Sequence, residues 1–403
     1  MKSILLTQVL PYPPDSGPKV KTWNVIKYLS RNHELTLVSF IRGDQSAAVE
    51  QLRQVCARVE TVPISRTLIK DGLAFGRSLL TNQPWMMLRD DRREMRDLVG
   101  HLATREHFDL AHADQLNMAQ YADRIPGVRR LLDAHNALWQ LYQRLAQTMP
   151  DGPRRWMLER DWRLLKRYEG DICRRFEAVT VVSNEDKQAL SEAAGINLPA
   201  VVIPISVDMD EFPLIERNPD ANHILSIGTM YWPPNIEGML WFLREIHPLI
   251  REQLPQVEFD LIGARPPQEI LDYGQAGSGV HVHGFVDDPT IYLQQAGVMI
   301  VPLRAGSGMR VKILNSLSQG LPIVTTSIGC EGIDVKHGEH LLIADSPAEF
   351  ARAVVHLLRN PQEARQLGLA GRELIKTRYD YRVACRPLDD IYAGAGLPMG
   401  KGG

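Results

Sequence analysis

The stretch Pro302–Thr326, PLRAGSGMRVKILNSLSQGLPIVTT, decides the fold, because it reads as a strand end, a glycine loop, a helix and a second strand. Gly306 and Gly308 let the loop backbone approach a ligand closely. The helix that follows directs its first amide groups and its positive dipole end into the loop, which favours an anion. Arg310 and Lys312 add a guanidinium and an ammonium, so the stretch predicts a diphosphate site. A solvated amphipathic helix with two surface cations is the alternative.

The helix of this stretch has a polar and an apolar side at about 3.6 residues per turn. Lys312, Asn315 and Gln319 share the polar side. The apolar side is formed by Val311, Ile313, Leu314 and Leu317. Arg310 would fall on the apolar side of a complete helix, so we expect it in the first turn, reaching forward.

Length, charge and cysteine usage exclude several classes of protein. A chain of 403 residues is too long for one ordinary core and predicts two domains. The net charge of −2 argues against a nucleic-acid partner. The four cysteines are far apart and form no CxxC pair, which gives no zinc motif and suits a reducing, cytoplasmic location. No window approaches about 18 uninterrupted apolar residues, so we expect no membrane span.

Strand and helix patterns alternate along the chain in two series, with a break near residues 200–215. In the first series the strand candidates are SILLTQVL, ELTLVSF, FDLAHA, RRLLDAH and AVTVVS. In the second they are HILSIGTM, VEFDLIG, VHVHGF, AGVMIVPL, LPIVTT and HLLIA. This alternation predicts an α/β protein with two Rossmann-like domains of parallel strands facing each other across a cleft. Ligands of such domains bind beyond the carboxyl ends of the strands.

The opening stretch resembles the nucleotide-sugar motif of family 4 glycosyltransferases, which have the GT-B fold. One subset of that family reads close to GSGTRLKILEAMAAGLPVV, and this chain reads GSGMRVKILNSLSQGLPIV. The resemblance continues along the chain in PYPPDSGPK, DAHNALWQLYQRL, TVVSNEDKQAL, SIGTMYWPPNIEGMLWF, HGFVDD and RYDYRVACRPLDDIY. It implies an acceptor-side domain over 1–205 and a nucleotide-sugar domain over 206–377. The segment 378–395 is expected to pack back on the first domain.

The donor motif departs from the common family pattern. Many members carry a Glu that contacts the ribose of the donor, and that position is Asn315 here. Many also carry an Arg and a Lys after the first strand of the second domain, where this chain reads GTMYWPPN from Gly228. Arg310 and Lys312 are the best replacements for those cations. The resemblance therefore implies a donor site that contains Gly228, Gly306, Ser307, Gly308, Met309, Arg310, Lys312 and Asn315.

Two further segments are expected to contact the donor. Ser16 and Gly17 match the family's glycine loop after the first strand, where Lys19 or Lys21 would add positive charge; a proline-rich turn is the alternative. In the family, the segment that contains Phe285 and Val286 lies against the nucleotide base. For these two residues ordinary core packing is the alternative.

Three residues in the first domain are candidates for catalysis. DLAHADQLN places His112 and Asp114 near a strand end, and LLDAHNALW places His135 just past the next one. Many family members carry a histidine near the first of these loops that approaches the reacting sugar. We prefer His135, which stands beside Asn136 beyond its strand, and leave the choice between His112 and His135 open. A structural role is the common alternative for a lone histidine.

A basic segment from Arg144 to Arg175 carries nine lysines and arginines against five carboxylates. With Trp156 and Trp162 it could make a weak peripheral contact with the inner face of an anionic membrane. A solvated helix packed on its own domain explains the same pattern and is the preferred interpretation.

The predicted function is transfer of a sugar from a nucleotide diphosphate sugar to an acceptor hydroxyl in polysaccharide, glycolipid or glycoconjugate biosynthesis. The resemblance implies retention of anomeric configuration, and no cofactor or obligatory metal, because a helix dipole and cations stabilise the leaving diphosphate. A sugar-nucleotide 2-epimerase is an alternative that would need dedicated acid and base carboxylates. An inactive relative that only binds nucleotide sugar or a partner is another, supported by the missing Glu at Asn315.

Overall fold

The computed structural model describes residues 1–218, 220–306 and 308–394 of the chain. These residues form two compact units. Of the described residues, the first unit contains Met1–Ile205 and 384–394, and the second is Ser206–Val383. Each unit is an α/β layer structure with its own parallel sheet.

The first unit is built on a seven-stranded sheet in the order β3-β2-β1-β4-β5-β6-β7, and every neighbouring pair is parallel. The strands are β1 Lys2–Thr7, β2 Glu34–Ile41, β3 Arg58–Pro63, β4 Leu110–Asp114, β5 Arg129–Ala134, β6 Ala178–Val181 and β7 Val201–Val202. The strand order reverses between β1 and β4, as in Rossmann folds, and crevices for ligands form at such a point. The sheet therefore places the residues that follow β1, β4 and β5 at one edge.

The helices of the first unit cover both faces of its sheet. They are α1 Gly17–Leu29, α2 Ser46–Arg53, α3 Leu68–Thr81, α4 Trp85–Arg89, α5 Arg93–Arg105, α6 Leu116–Ala122, α7 Leu138–Thr148, α8 Pro153–Arg175 and α9 Asn184–Ala194. The basic segment is divided between two helices, since α7 ends at Thr148 and α8 begins at Pro153. None of the helices within the described residues has the combination of length and apolar composition needed to cross a bilayer.

The second unit has a six-stranded sheet in the order β10-β9-β8-β11-β12-β13, again with parallel neighbours. Its strands are β8 His223–Ile227, β9 Phe259–Ile262, β10 Val280–Gly284, β11 Ala296–Val301, β12 Ile323–Thr325 and β13 Leu342–Ile343. Its helices are α10 Pro233–Trp241, α11 His247–Gln253, α12 Gln268–Leu271, α13 Thr290–Gln295, α14 Val311–Ser318, α15 Pro347–Arg359, α16 Pro361–Leu374 and α17 Tyr381–Ala384. The order reverses between β8 and β11, so the loops after these two strands meet at one edge.

Two π-helical turns occur in the second unit. Phe242–Ile246 joins α10 to α11, and Ile375–Tyr379 follows α16 and ends before Asp380, which is extended. The first lies just before Pro248, which has no amide hydrogen to bond the carbonyl four residues earlier. A widened turn is a common response to such a missing bond. The stretch PPNIEGMLWFLREIHPLI is therefore helical from α10 to α11, with this one irregular turn between them.

The last described helix, α18 Pro387–Ala393, belongs to the first unit. The hydroxyl of Tyr28 in α1 donates to Asp389 at 2.7 Å. The hydroxyl of Tyr392 lies 2.9 Å from Nδ1 of His112 in β4, and the guanidinium of Arg129 in β5 donates to the carbonyl oxygen of Tyr392 at 3.0 Å. These bonds attach the chain end to the sheet of the first unit.

Candidate active site

The candidate donor site lies in the second unit, at the carboxyl edge of its sheet, in the loop between β11 and α14. The predicted polar side of α14 is present, because Lys312, Asn315 and Gln319 are half-buried on one side. On the other side Ile313, Leu314 and Leu317 are buried. The helix is thus fixed by its apolar side and presents the three polar groups at the edge of the sheet. Ser307 lies outside the described residues.

Lys312 extends from α14 toward the loop that follows β8. Its Nζ donates a hydrogen bond to Oδ1 of Asn235 at 3.4 Å. A Cβ placed on Gly228, at the end of β8, would lie 3.4 Å from the same Nζ, so a larger residue at position 228 would crowd the ammonium. Lys312 therefore supplies to the β8 loop the cation that the sequence of that loop lacks.

Burial and a neighbouring cation are what act on the charge of Lys312 within the described residues. Desolvation by burial, followed by the charge of Arg310, lowers the pKa of Lys312 to about 8. An amine whose pKa is lowered in this way gains most from an incoming anion, because the anion stabilises its charged form. This arrangement suits a phosphate ligand.

We expect the affinity for a nucleoside diphosphate to fall as the pH rises through about 8, the pKa to which Lys312 is lowered. The ammonium is intact below that pH and lost above it, and only the charged form attracts the diphosphate. Between pH 7 and pH 9 the dissociation constant should rise by about tenfold, following the protonated fraction. Calorimetry on the wild type beside Lys312→Arg, which stays charged, checks this. Equally flat profiles for both proteins would contradict it.

The guanidinium of Arg310 packs closely against the backbone of the glycine loop at Gly306. Arg310 is the residue just before α14, with φ −92° and ψ 98°, so it lies outside the helix rather than in its first turn. A Cβ on Gly306 would lie 2.6 Å from Nη2 of Arg310. Gly306 and Gly308 have φ values of +126° and +80°, which favour glycine. Burial lowers the pKa of Arg310, and the charge of Glu331 opposes this.

Met309 occupies a different place from its neighbours in the loop. Its side chain is buried, and its Cγ would lie 3.0 Å from a Cβ on Gly332. The side chain therefore anchors the loop to the interior of the second unit. Only the backbone of Met309 is available to a donor.

Asn235 is a site residue that the sequence analysis does not single out. Helix α10 begins at Pro233 with Trp232 at the capping position, so Asn235 lies inside the first turn of the helix. The Asn235 amide donates to the carbonyl oxygen of Thr229 at 2.9 Å and accepts from Lys312. Asn235 thus connects the β8 loop to the ammonium. The signal available in the sequence was its position near the start of the helix that follows β8.

Phe285 and Val286 follow β10 at the same edge of the second sheet. The chain turns at Gly284, which has φ +70°. Phe285 is 73% exposed, so core packing does not explain it. Val286 is half-buried. An exposed aromatic ring at a ligand-binding edge offers a flat apolar face to a nucleotide base.

A second candidate site, in the first unit, lies at the carboxyl ends of β4 and β5. Nε2 of His135 lies 3.0 Å from Oδ1 of Asp114, and the hydroxyl of Thr22 in α1 donates to the same oxygen at 2.9 Å. Gln115, directly after Asp114, has φ +72° and ψ 155°, a strained conformation for a residue other than glycine. Asp114 therefore orients the His135 ring, which would donate from Nε2 and leave Nδ1 as an acceptor.

A buried ion pair supports this cluster. Nζ of Lys21 contacts Oδ1 of Asp133, and their side chains are 1% and 2% exposed. Burial opposes ionisation of Asp133, but the charge of Lys21 together with His112 and His135 outweighs it, and these groups hold the pKa of that carboxyl well below its usual range. The hydroxyl of Thr180 also donates to Asp133 at 2.8 Å. Lys21, which we had expected to face the donor, therefore lies in the core.

Ser16 and Gly17 begin α1 at the same edge as the cluster. Ser16 is exposed and extended, with φ −146° and ψ 155°, and its side chain makes no capping bond. Gly17 is the first residue of the helix. Lys19 forms an ion pair with Asp15 at 3.0 Å, so it stays near this loop. The loop is thus positioned to present backbone amides to a ligand.

His112 lies inside β4 and is fully buried. Its Nδ1 bonds to the hydroxyl of Tyr392, and its Nε2 is 3.9 Å from Oδ2 of Asp133. A side chain in this place connects α18 to the buried ion pair and does not touch a substrate. The geometry therefore favours His135 over His112 as the residue that contacts a sugar.

Within the described part of the chain, Asp114, Asp133 and His135 form the one group whose ligand atoms lie close enough together, within 4.8 Å, to hold a metal ion. The ammonium of Lys21 already contacts Asp133. Asp114 accepts bonds from Thr22 and His135. An incoming cation would have to compete with these donors, and the cluster is better described as a charge-balanced polar network.

The chain is similar in sequence to known glycosyltransferases and related proteins. The family model "Glycosyl transferases group 1" matches residues 221–360, which run from β8 to α15. An uncharacterized 44.6 kDa protein in the cps region of Klebsiella pneumoniae is 22% identical over 392 residues, covering 94% of this chain and 96% of that protein. Phosphatidyl-myo-inositol mannosyltransferase of Mycobacterium leprae is 27% identical over 220 residues, covering 52% of this chain and 57% of the relative.

The crystal structure of HepE from Anabaena in complex with UDP superimposes with a TM-score of 0.69 at 14% sequence identity, covering 98% of this chain and 100% of HepE. This likeness shows the fold, and together with the family match it defines the class of protein: an enzyme with the GT-B fold. The second unit matches the model of group 1 glycosyl transferases over residues 221–360, and the chain is a glycosyltransferase. The fold class and the enzyme class predicted from the sequence are confirmed, and the family match agrees with the predicted family.

Proposed function

We propose that this glycosyltransferase moves a sugar from a nucleotide diphosphate sugar to an acceptor hydroxyl with retention of anomeric configuration. The observation that carries the proposal is the position of Lys312, half-buried beside Gly228 with a pKa lowered to about 8. UDP in the HepE structure supports the donor class. The cps-region protein and the phosphatidyl-myo-inositol mannosyltransferase support acceptors of the polysaccharide or glycolipid kind.

The proposed sugar transfer assigns a role to each polar group of the two candidate sites. Arg310 and Lys312 would neutralise the diphosphate as it leaves, which lowers the barrier most because the groups are already in place. Asn315 would contact the ribose, and Phe285 the base. In the first unit His135, oriented by Asp114, is the proposed polar contact of the reacting sugar.

A donor panel followed by product analysis tests the proposal. Ligand binding raises apparent stability by mass action, so the cognate nucleoside diphosphate should raise the melting temperature. Turnover of the matching sugar nucleotide should then give a product with the donor's anomeric configuration by NMR. A product of inverted configuration would contradict retention. Formation of an epimerised sugar nucleotide without acceptor would indicate the 2-epimerase instead.

An inactive nucleotide-sugar-binding relative remains a second candidate because of Asn315. An amide has one acceptor oxygen, whereas a carboxylate can accept bonds from both ribose hydroxyls. This candidate expects donor binding without turnover. The same donor panel, read for binding and for turnover, separates the two.

We expect activity to survive chelation. Arg310 and Lys312 would supply the positive charge that a metal supplies to the diphosphate in other enzymes. Turnover measured with EDTA should match turnover in untreated enzyme. Loss of activity that magnesium or manganese restores would contradict this, and would point to a metal at the Asp114, Asp133 and His135 group.

Asn315→Ala should weaken donor affinity by about 1 kcal/mol, the value of one ordinary hydrogen bond. Asn315→Glu should keep or improve affinity, because it restores the bidentate acceptor beside two cations. Gln319→Ala is a matched control, since Gln319 lies on the same side of α14 one turn further from the loop. Donor affinity and turnover of all four proteins check this. Wild-type behaviour of Asn315→Ala would show that the ribose lies elsewhere.

A further inference from the structure

Helix α3 exposes an unusually large amount of apolar surface. We call its five large exposed side chains the α3 face. Their exposed fractions are 92% for Leu68, 77% for Ile69, 70% for Leu73, 47% for Leu79 and 89% for Leu80. Within this helix of 14 residues the buried residue is a serine, Ser78. A helix that turns its leucines outward and its serine inward is inverted relative to a normal surface helix.

The α3 face is continuous. At about 100° per residue, its five side chains fall within an arc of about 140°, with Gly72 and Gly76 between them. Lys70 and Arg77 stand along one border of that arc, and Ser78 points to the opposite, inner side. An apolar arc bordered by cations is typical of helices that lie in the interface of a membrane.

Bonds on its inner side hold α3 in place. The hydroxyl of Thr67 caps its first turn by accepting from the amide of Lys70 at 3.3 Å. The guanidinium of Arg160 in α8 donates to Oγ and to the carbonyl oxygen of Ser78 at 2.9 and 2.7 Å. The indole of Trp85 donates to the carbonyl oxygen of Asp71 at 3.0 Å. The helix is therefore fixed to α8 with its apolar arc pointing away.

Helix α8 adds positive charge and an aromatic ring beside the α3 face. Trp156, one turn before Arg160, is 56% exposed. Trp162, the other tryptophan of the basic segment, packs against the core instead. Helices α3 and α8 together carry ten lysines and arginines against five carboxylates. Any partner with negative charge is complementary to these cations. An anionic lipid bilayer also has an apolar interior in which the exposed side chains of the α3 face can be buried.

We propose that α3 is an interfacial helix that inserts its apolar face into an anionic lipid bilayer, while the cations of α3 and α8 contact the headgroups. The sequence offered a membrane contact at the basic segment only as an alternative to a solvated helix, and this proposal assigns the apolar part of such a contact to α3. The proposal does not depend on the sugar donor, because vesicle binding is measured without any nucleotide sugar.

Cosedimentation with vesicles tests it directly. Full-length protein should bind vesicles of phosphatidylcholine with about one third phosphatidylglycerol, and bind phosphatidylcholine alone much less. The triple variant Leu68→Ser, Ile69→Ser, Leu80→Ser should bind the anionic vesicles at least roughly tenfold more weakly. Leu369→Ser, which removes an exposed leucine from α16, is the matched control and should bind as the wild type does.

A second set of experiments changes the charge, to distinguish binding that needs the headgroup contacts from a purely apolar contact. Lys70→Glu with Arg77→Glu should weaken binding, and added salt should weaken binding of the wild type. The circular dichroism spectrum and the calorimetric donor affinity should be unchanged in every variant. A loss of vesicle binding is thereby distinguished from a loss of the proposed sugar-transfer function. Wild-type protein that ignores anionic vesicles, or a triple variant that binds them equally, would overturn the proposal. Dimerisation through α3 in place of vesicle binding would also overturn it.

Discussion

Lys21→Met should lower the free energy of unfolding by about 3–5 kcal/mol, because it leaves the carboxylate of Asp133 buried without its cation. The loss should depend on pH. The pKa of Asp133 is lowered in the native protein, so the ion pair stabilises the fold above the unfolded value of about 4 and ceases to do so as the pH falls further. Urea unfolding of the wild type and of Lys21→Met at neutral and acidic pH measures the difference between their free energies of unfolding. This difference should become smaller at low pH.

Lys19→Met is the matched control for this experiment. Lys19 also pairs with a carboxylate, Asp15, but that pair is partly exposed and should contribute less than about 1 kcal/mol. Adding Asp133→Asn to Lys21→Met should recover part of the lost stability, since no buried charge then remains unpaired. If Lys21→Met is as stable as Lys19→Met, the ion pair does not support the cluster around Asp114 and His135.

Arg310→Ala and Lys312→Ala should each weaken the binding of a nucleoside diphosphate by about 1–3 kcal/mol, the range for a hydrogen bond to a charged group. The dissociation constant should then rise by roughly 5- to 150-fold. Lys312 is held beside Gly228 at the end of β8, and Arg310 stands at the start of α14 against Gly306. Isothermal calorimetry with the cognate diphosphate measures both effects.

Arg304→Ala is the control for a cation of the same loop. Arg304 is exposed and pairs with Glu237 at 3.1 Å, outside the polar side of α14. Its removal should change the affinity by less than about 0.5 kcal/mol. If all three alanine variants lose affinity equally, the effect is a general one of surface charge. If neither Arg310→Ala nor Lys312→Ala loses affinity, the diphosphate lies elsewhere.

The sequence predicts the parallel sheets well because their inner strands are continuous apolar runs. All of β11 is buried, as is β1 except for its first residue. Strand β3 at the edge of the first sheet was missed because RVETVP alternates polar and apolar residues, and only Val59 and Val62 are buried. An edge strand buries too little surface to need an apolar run.

Local spacing also predicts the polar side of α14, because helical periodicity alone places Lys312 and Asn315 together. It does not predict where Lys21 lies. The partner of Lys21 is 112 residues away along the chain, and only the packing of α1 against β5 brings them together. The same limit applies to α3, whose apolar arc resembles that of a core helix until the structure shows that it faces outward.

The central claim is that this chain transfers sugar from nucleotide diphosphate sugars. The most direct test measures the release of nucleoside diphosphate from a panel of sugar nucleotides, with and without acceptor extracts. Wild-type protein should release diphosphate from at least one donor, and faster with acceptor present. The double variant Arg310→Ala, Lys312→Ala should release it far more slowly, while Arg304→Ala should match the wild type. Binding of a donor with no release under any condition would contradict the claim, as would equal release by the double variant.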